Sequence, residues 1–131
     1  MQNEIVDQLN NSLKNSSVSD FKIGISNIIY MNKEDALWLL SFGEAKIFTK
    51  NSSDKKTVSD DINSKIALLD FFKKKVSNLE INDRGDLKIE FSNFDNIITI
   101  SSSDVFEAWE IIGPNNFQVV CTVGGNLAIW G

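Results

Sequence analysis

The chain has 131 residues, of which 42% are apolar and 24% charged, a composition that fits one compact domain with a buried core. A disordered tail, a disulfide scaffold and a collagen-like repeat are excluded, because the apolar content is ordinary, Gly and Pro are few and Cys121 is the single cysteine. The chain lacks histidine and carries a formal net charge of −5, which argues against a histidine-based catalytic or metal site and against binding to nucleic acid or membranes.

The N-terminal half is predicted to start with a helix and to continue with strands. Apolar residues recur at helical spacing over residues 4–14, which predicts a short amphipathic helix. Beyond residue 20 the periodicity is that of strands, with a bulge or bend expected near Ser26 and Asn27. Gly43 is predicted to be the turn of a hairpin. The strand-like runs of this half are residues 21–25, 28–30, 37–42 and 45–48.

A second helix is predicted between these strands and the next group. Ser59 is suited to cap its start, and the lysines of residues 73–75 complement the negative end of its dipole. The alternative for this triplet is a phosphate-binding role. The apolar stripe that should face the core consists of Ile62, Ile66, Leu69, Phe72 and Val76.

The second half is again dominated by strands, separated by turns at Asp83-Arg84-Gly85-Asp86, 92–96, 113–116 and Gly124-Gly125. The predicted fold class is α+β: mostly antiparallel β meanders of about eight strands, with an N-terminal helix and one central helix packed on the sheet. Residues 1–131 form a single domain in this prediction. Segments 25–42 and 76–91 align weakly, so two pseudo-repeated halves are a further hypothesis. The runs are residues 79–81, 87–91, 97–100, 105–112, 117–121 and 127–130.

Charge is distributed unevenly along the chain. Residues 54–75 contain six lysines against four aspartates, whereas residues 76–110 contain eight acidic side chains against two basic ones. Residues 111–131 contain no charged side chain, so they should be buried in the core or against a partner. The candidate partner-binding residues are Asp83, Asp86, Glu90, Phe94 and Asp95.

Catalytic chemistry finds little support in the sequence. Glu107 and Glu110 flank Trp109 and could act as an acid and base pair, but their odd spacing would place them on opposite faces of a strand. Cys121 lies in an apolar run, which favours an inert buried thiol over a nucleophile. We therefore expect no enzyme activity, no metal and no cofactor, and a carboxylate-based hydrolase is the remaining catalytic alternative.

The C-terminal part resembles a family of small bacterial proteins of unknown function over about residues 68–130. The resemblance rests on an aromatic-Glu-Ala-Trp strand, a Gly-Pro turn, a double glycine and a terminal tryptophan. It implies that these residues are structural and transfers no catalytic role. The residues of this signature are Glu107, Trp109, Gly113, Pro114, Gly124, Gly125 and Trp130.

Proteins of this size and acidity are similar in type to immunity proteins of bacterial toxin systems. The leading hypothesis is therefore a cytoplasmic antitoxin whose acidic residues meet a basic toxin or effector domain. The cytoplasm is expected because residues 1–14 lack the basic head and apolar stretch of a secretory signal. The alternative is a structural or homo-oligomeric module, a homodimer that pairs through the strand containing Trp130.

Overall fold

The computed structural model describes residues 2–49, 52–92 and 95–131. These residues form eleven strands in two antiparallel sheets and two helical regions, which confirms the predicted α+β class with more strands than expected. None of the helices in the described ranges combines the length and apolarity required to span a bilayer. The strands are β1 (Ser17–Lys22), β2 (Asn27–Lys33), β3 (Ala36–Phe42), β4 (Ala45–Thr49), β5 (Ser52–Val58), β6 (Val76–Ile81), β7 (Leu87–Phe91), β8 (Asn96–Ile100), β9 (Trp109–Ile112), β10 (Gln118–Cys121) and β11 (Leu127–Trp130).

The two sheets share one hydrophobic core. The six-stranded sheet has the order β1-β2-β3-β9-β10-β11, and the five-stranded sheet has the order β5-β4-β8-β7-β6. Alternate side chains of β3 and β8 face the core, as the period of two requires. The largest fully buried residues include Trp109 from the first sheet and Phe91 from the second.

The N-terminal helix is confirmed as α1 (Gln2–Leu13). Its apolar positions Ile5, Leu9 and Leu13 are buried in the common core, as its spacing predicted. The Asn10 side chain accepts a hydrogen bond of 2.9 Å from the backbone of Leu79, so the helix also protects the edge of β6.

The predicted hairpin around Gly43 is wrong. Strands β3 and β4 lie in different sheets and do not pair, so Gly43 and Glu44 form a link that takes the chain from one sheet to the other. Alternation alone cannot separate the two cases, because Phe42 and Ala45 face the core in either arrangement. The same change of sheet occurs again between β8 and β9.

Other strand boundaries also differ from the prediction. Residues 24–26 form a bend, as predicted near Ser26, but this bend separates β1 from β2 and leaves Ile25 97% exposed; a separate register shift lies between Val18 and Asp20 of β1. Residues 105–108 are loop, so the strand predicted over 105–112 begins only at Trp109. Strand β5 was not predicted, because its sequence is polar and, within the described residues, it is an edge strand that pairs with β4.

The second helical region is shorter than predicted, and it turns a different face toward the core. One α-helical turn, α2 (Ile62–Lys65), is capped by Asp61 rather than Ser59 and continues as a 3-10 helix, η1 (Ile66–Phe71). A 3-10 helix has three residues per turn, so side chains three apart form a straight column. One such column, Lys65, Leu68 and Phe71, is buried.

The predicted apolar stripe therefore faces solvent rather than the core. Its first four members are 48–61% exposed, and we call them the helical ridge, although the fourth, Phe72, directly follows η1. Val76, the fifth predicted member, starts β6 and is buried. The helical ridge consists of Ile62, Ile66, Leu69 and Phe72.

The hypothesis of two pseudo-repeated halves stays a prediction. Segment 25–42 forms the β2–β3 hairpin of one sheet, and segment 76–91 forms the β6–β7 hairpin of the other. Both end in a buried phenylalanine, Phe42 and Phe91.

Candidate protein-binding surfaces

Asp86, one of the predicted partner-binding residues, forms hydrogen bonds and an ion pair within the chain. Its carboxylate accepts hydrogen bonds from the Asn82 side chain at 2.9 Å and from the Ser102 backbone at 2.8 Å, and it lies 3.4 Å from the Arg84 guanidinium. Burial disfavours the charged carboxylate, but these hydrogen bonds and the Arg84 charge outweigh it and lower the pKa of Asp86 below its ordinary value. Asp86 therefore holds the β6–β7 turn against the loop after β8.

Among the described residues of this set, Asp83 and Asp95 lie beyond opposite ends of β7. Glu90 is buried in β7 and lies 3.5 Å from the Lys88 ammonium, whereas Asp83 is exposed on the β6–β7 turn. Asp95 lies beyond the opposite end of β7, a strand of five residues and so roughly 17 Å long. Phe94 lies outside the described residues. The partner-binding role of this set stays a prediction.

Several signature residues build the junction between the two sheets. The Trp109 indole N–H donates to the Gly85 carbonyl at 2.9 Å, and the Cys121 thiol lies 3.4 Å from the same oxygen. Burial, with a smaller effect of the Asp86 charge, raises the pKa of Cys121, so its thiol stays protonated at neutral pH. Gly125 packs directly against the backbone carbonyl of Arg84.

Gly113 has a comparable packing role on the other side of β9. A Cβ atom at Gly113 would lie 2.6 Å from the Trp38 ring, so only glycine fits beside this indole. Phe117 completes the contact, with its ring edge-on to Trp38 at a centroid distance of 5.8 Å. Three other signature residues are exposed on loops and are placed away from this packing: Glu107, Pro114 and Gly124.

On strands β2, β3, β9, β10 and β11 of the six-stranded sheet the outer face is largely apolar, whereas the edge strand β1 places Asp20 beside Tyr30. Registered cross-strand neighbours form one row, in which Tyr30 of β2 lies beside Leu39, Leu39 beside Ile112, and Ile112 beside Gln118, which neighbours Trp130. On the same face, Leu37 is 44% exposed and Trp130 is 52% exposed. We call this surface the apolar sheet face and define it by Tyr30, Leu37, Leu39, Ile112 and Trp130.

Little charge interrupts the apolar sheet face. Across the outward positions of β2, β3, β9, β10 and β11, all within the described ranges, Glu110 is the one ionisable carboxylate, and it accepts a hydrogen bond from the Gln118 side chain. Neither helical region packs here, since α1 contacts β6, and α2 and η1 lie near β5. Outer sheet faces ordinarily carry polar side chains in water, so this face is available to a partner.

The apolar sheet face continues into an open strand edge. In the part of the chain that the structure describes, β10 is the one strand that pairs with β11. At the opposite edge of the sheet, the backbone of Lys73 and Lys74 hydrogen bonds to both polar groups of Val18, at 2.8 and 2.9 Å. Strand β11 therefore offers unpaired backbone groups beside two exposed apolar side chains, Ile129 and Trp130.

The sequence contains one signal of the apolar sheet face that periodicity alone did not reveal. Residues 37–40 are apolar without alternation, which is typical of a strand covered on both faces. The inward members Trp38 and Leu40 are buried in the core, whereas Leu37 and Leu39 face outward. The uncharged C-terminal segment divides in the same way, because Ile111 and Val119 enter the core while Trp130 stays outside.

A pocket of about 190 Å³ with mixed polar and apolar lining lies at the end of β4 and β8. Glu44 and Lys46 supply its charges, and neither Glu107 nor Glu110, the predicted acid and base candidates, lines it. No group of three or more metal-ligating side chains was found among the described residues. The hydroxyl groups that line this pocket come from Thr57, Thr99, Ser101, Ser102 and Ser103.

The chain belongs to a family of unknown function, DUF6188, whose model matches residues 11–131. The match extends beyond the resemblance predicted over residues 68–130 and includes both sheets. Neither a curated protein nor a solved structure matches the chain.

Proposed function

We propose that this member of the family is a non-catalytic protein-binding module, and that its partner is a bacterial toxin or effector that it neutralises as an immunity protein. The observation that supports protein binding is the apolar sheet face, which is uncharged apart from Glu110 and is covered by no described helix. Its aromatic members, Tyr30 and Trp130, are residue types that supply much of the binding energy of protein interfaces.

The dimensions of the surface indicate that the open edge takes part in binding. Five strands about 4.8 Å apart span roughly 19 Å, and strands of four to seven residues are about 13–23 Å long. Such a face offers about half of the ~800 Å² that one partner contributes to a standard interface. The edge of β11 would supply further contacts through backbone hydrogen bonds and Ile129.

The toxin as partner is supported by charge at long range rather than by an acidic contact surface. A net charge of −5 steers a basic protein toward the chain even when individual carboxylates, such as that of Glu90, are paired internally. Binding then depends on apolar contact, and charge affects mainly the association rate.

The experiment is a calorimetric titration of the purified chain with the protein encoded by the adjacent gene, at low and high salt. Trp130→Asp should weaken binding by at least about thirtyfold, because it places a charge in the apolar contact. The matched control Ile25→Asp makes the same charge change at a 97% exposed apolar residue of the β1–β2 connection, outside the residues that define the apolar sheet face, and should alter affinity by less than about twofold.

The identity of the partner and the contact surface are tested separately. If the adjacent protein does not bind at either salt concentration, the immunity assignment is wrong. If it binds and Trp130→Asp and Ile25→Asp weaken it equally, the sheet face is not the contact surface. Circular dichroism of both variants would check that they fold.

A further inference from the structure

The helical ridge is a second apolar surface, separate from the apolar sheet face. Ile62, Ile66 and Leu69 follow one another along α2 and η1, Phe72 comes directly after η1, and each is about half exposed or more. Four residues of α-helix and six of 3-10 helix extend over about 18 Å. A continuous apolar row of this length is unusual on a protein that stays monomeric.

The local packing fixes the ridge in its outward position. Lys65 heads the buried column, and its ammonium group donates to the backbone carbonyl of Gly24. Phe71 packs edge-on against Phe91 with 5.1 Å between ring centroids, which anchors the other end of the column in the core. A rotation that buried Leu69 would expose these groups, so the ridge is a stable surface of the folded chain.

The charges at the two ends of the helical ridge have opposite sign. Asp60 and Asp61 are exposed just before Ile62, and Lys73 and Lys75 are exposed just after Phe72. Between the ends, Asp70 already has a partner in Lys56 at 4.0 Å. The ridge is thus apolar in its middle, acidic at its start and basic at its end.

We propose that a second copy of this chain packs on the helical ridge, with the two ridges antiparallel about a two-fold axis. In that arrangement the apolar middles face each other, and Asp60 of each copy lies near Lys73 of the other. A partner surface of a single sign would be repelled at one end, whereas the rotated copy is complementary at both.

The ridge suits a second copy better than the open edge of β11 does. Strand β11 has four residues, so self-pairing would add few backbone hydrogen bonds and no opposite charges, since residues 111–131 carry none. The ridge supplies four large apolar side chains and two charged ends. Because the contact is smaller than a standard interface, we expect a dimer that dissociates on dilution.

Sedimentation velocity over a concentration series tests the proposal. The mass of the wild-type chain should rise from 14.7 kDa at low concentration toward about twice that value. Leu69→Asp, at a half-exposed position, should weaken association by at least about tenfold and leave the fold intact. The matched control Ile129→Asp, equally exposed on β11, should associate as the wild type does.

A charge exchange tests the antiparallel geometry. Asp60→Lys should weaken the dimer by roughly two- to fivefold, and adding Lys73→Asp should restore it. A wild-type chain that stays monomeric at every concentration would overturn the proposal. If association is lost in Ile129→Asp and kept in Leu69→Asp, the dimer interface is the β11 edge, and the proposal is contradicted.

Discussion

Single residues at the junction of the sheets explain several features of the signature. Gly85 offers its carbonyl to both Trp109 and Cys121, while its own Cα lies against the backbone of Gly125. Local sequence predicted both glycine turns correctly, because Gly is favoured where φ is positive. It could not predict that the two turns pack on each other, since they are forty residues apart in the chain.

A matched pair of glycine substitutions tests this junction. Gly124 and Gly125 both have φ of +89°, but a Cβ at Gly124 would meet no atom within 4 Å, whereas one at Gly125 would collide with the Arg84 carbonyl. We expect Gly124→Ala to lower the free energy of unfolding by about 1–2 kcal/mol through backbone strain alone. Gly125→Ala should lower it by about 3 kcal/mol or more, because strain and overlap add.

Urea denaturation of both variants measures the difference. Equal losses of unfolding free energy in Gly124→Ala and Gly125→Ala would show that the two turns are not in contact in solution.

At the scale of elements, the spacing of apolar residues predicted the long helix α1 correctly but did not predict the buried face of the short second helical region. The spacing of Ile5, Leu9 and Leu13 fits 3.6 residues per turn, and α1 buries all three. The second helical region has the same kind of spacing, yet it becomes a 3-10 helix after one turn and buries Leu68 instead of Leu69. The period of a short helix depends on its tertiary contacts, which the local sequence does not contain.

Two neighbouring leucines distinguish these registers. Leu68 is 1% exposed and Leu69 is 49% exposed, so Leu68→Ala should lower the free energy of unfolding by about 2–5 kcal/mol. Leu69→Ala should cost less than about 1 kcal/mol, because little of its side chain leaves an apolar environment. Thermal and urea unfolding would measure both, and a larger loss for Leu69→Ala would support the regular α-helix instead.

At the scale of the whole molecule, the apolar sheet face exists only because distant strands pair. Leu39 and Ile112 are cross-strand neighbours through the contact of β3 with β9, which lie in different halves of the chain. The uncharged C-terminal segment was expected to be buried, but only part of it enters the core: Val119 and Cys121 are buried, whereas Ile129 and Trp130 are about half exposed. Which of its residues would remain outside depended on strand order, and strand order did not follow from periodicity.

Internal contacts explain why two of the predicted acidic residues are not free for a partner. Counting charges located an acidic segment but could not show that Glu90 pairs with Lys88 or that Asp86 holds a turn. Side chains two residues apart on a strand share a face, so Glu90 can pair with Lys88. The Glu90 charge, which the sequence assigned to a partner, is therefore balanced within the chain.

The most direct test of partner binding at the apolar sheet face and the β11 edge is amide hydrogen exchange of the chain, free and mixed with the protein encoded by the adjacent gene. The outward amides of β11 should exchange quickly in the free chain, because no described strand pairs with that edge. We expect the partner to slow exchange at Leu127–Trp130 and to leave exchange in the turn at 82–86 unchanged. Slower exchange at 82–86 with no change in β11 would contradict this expectation.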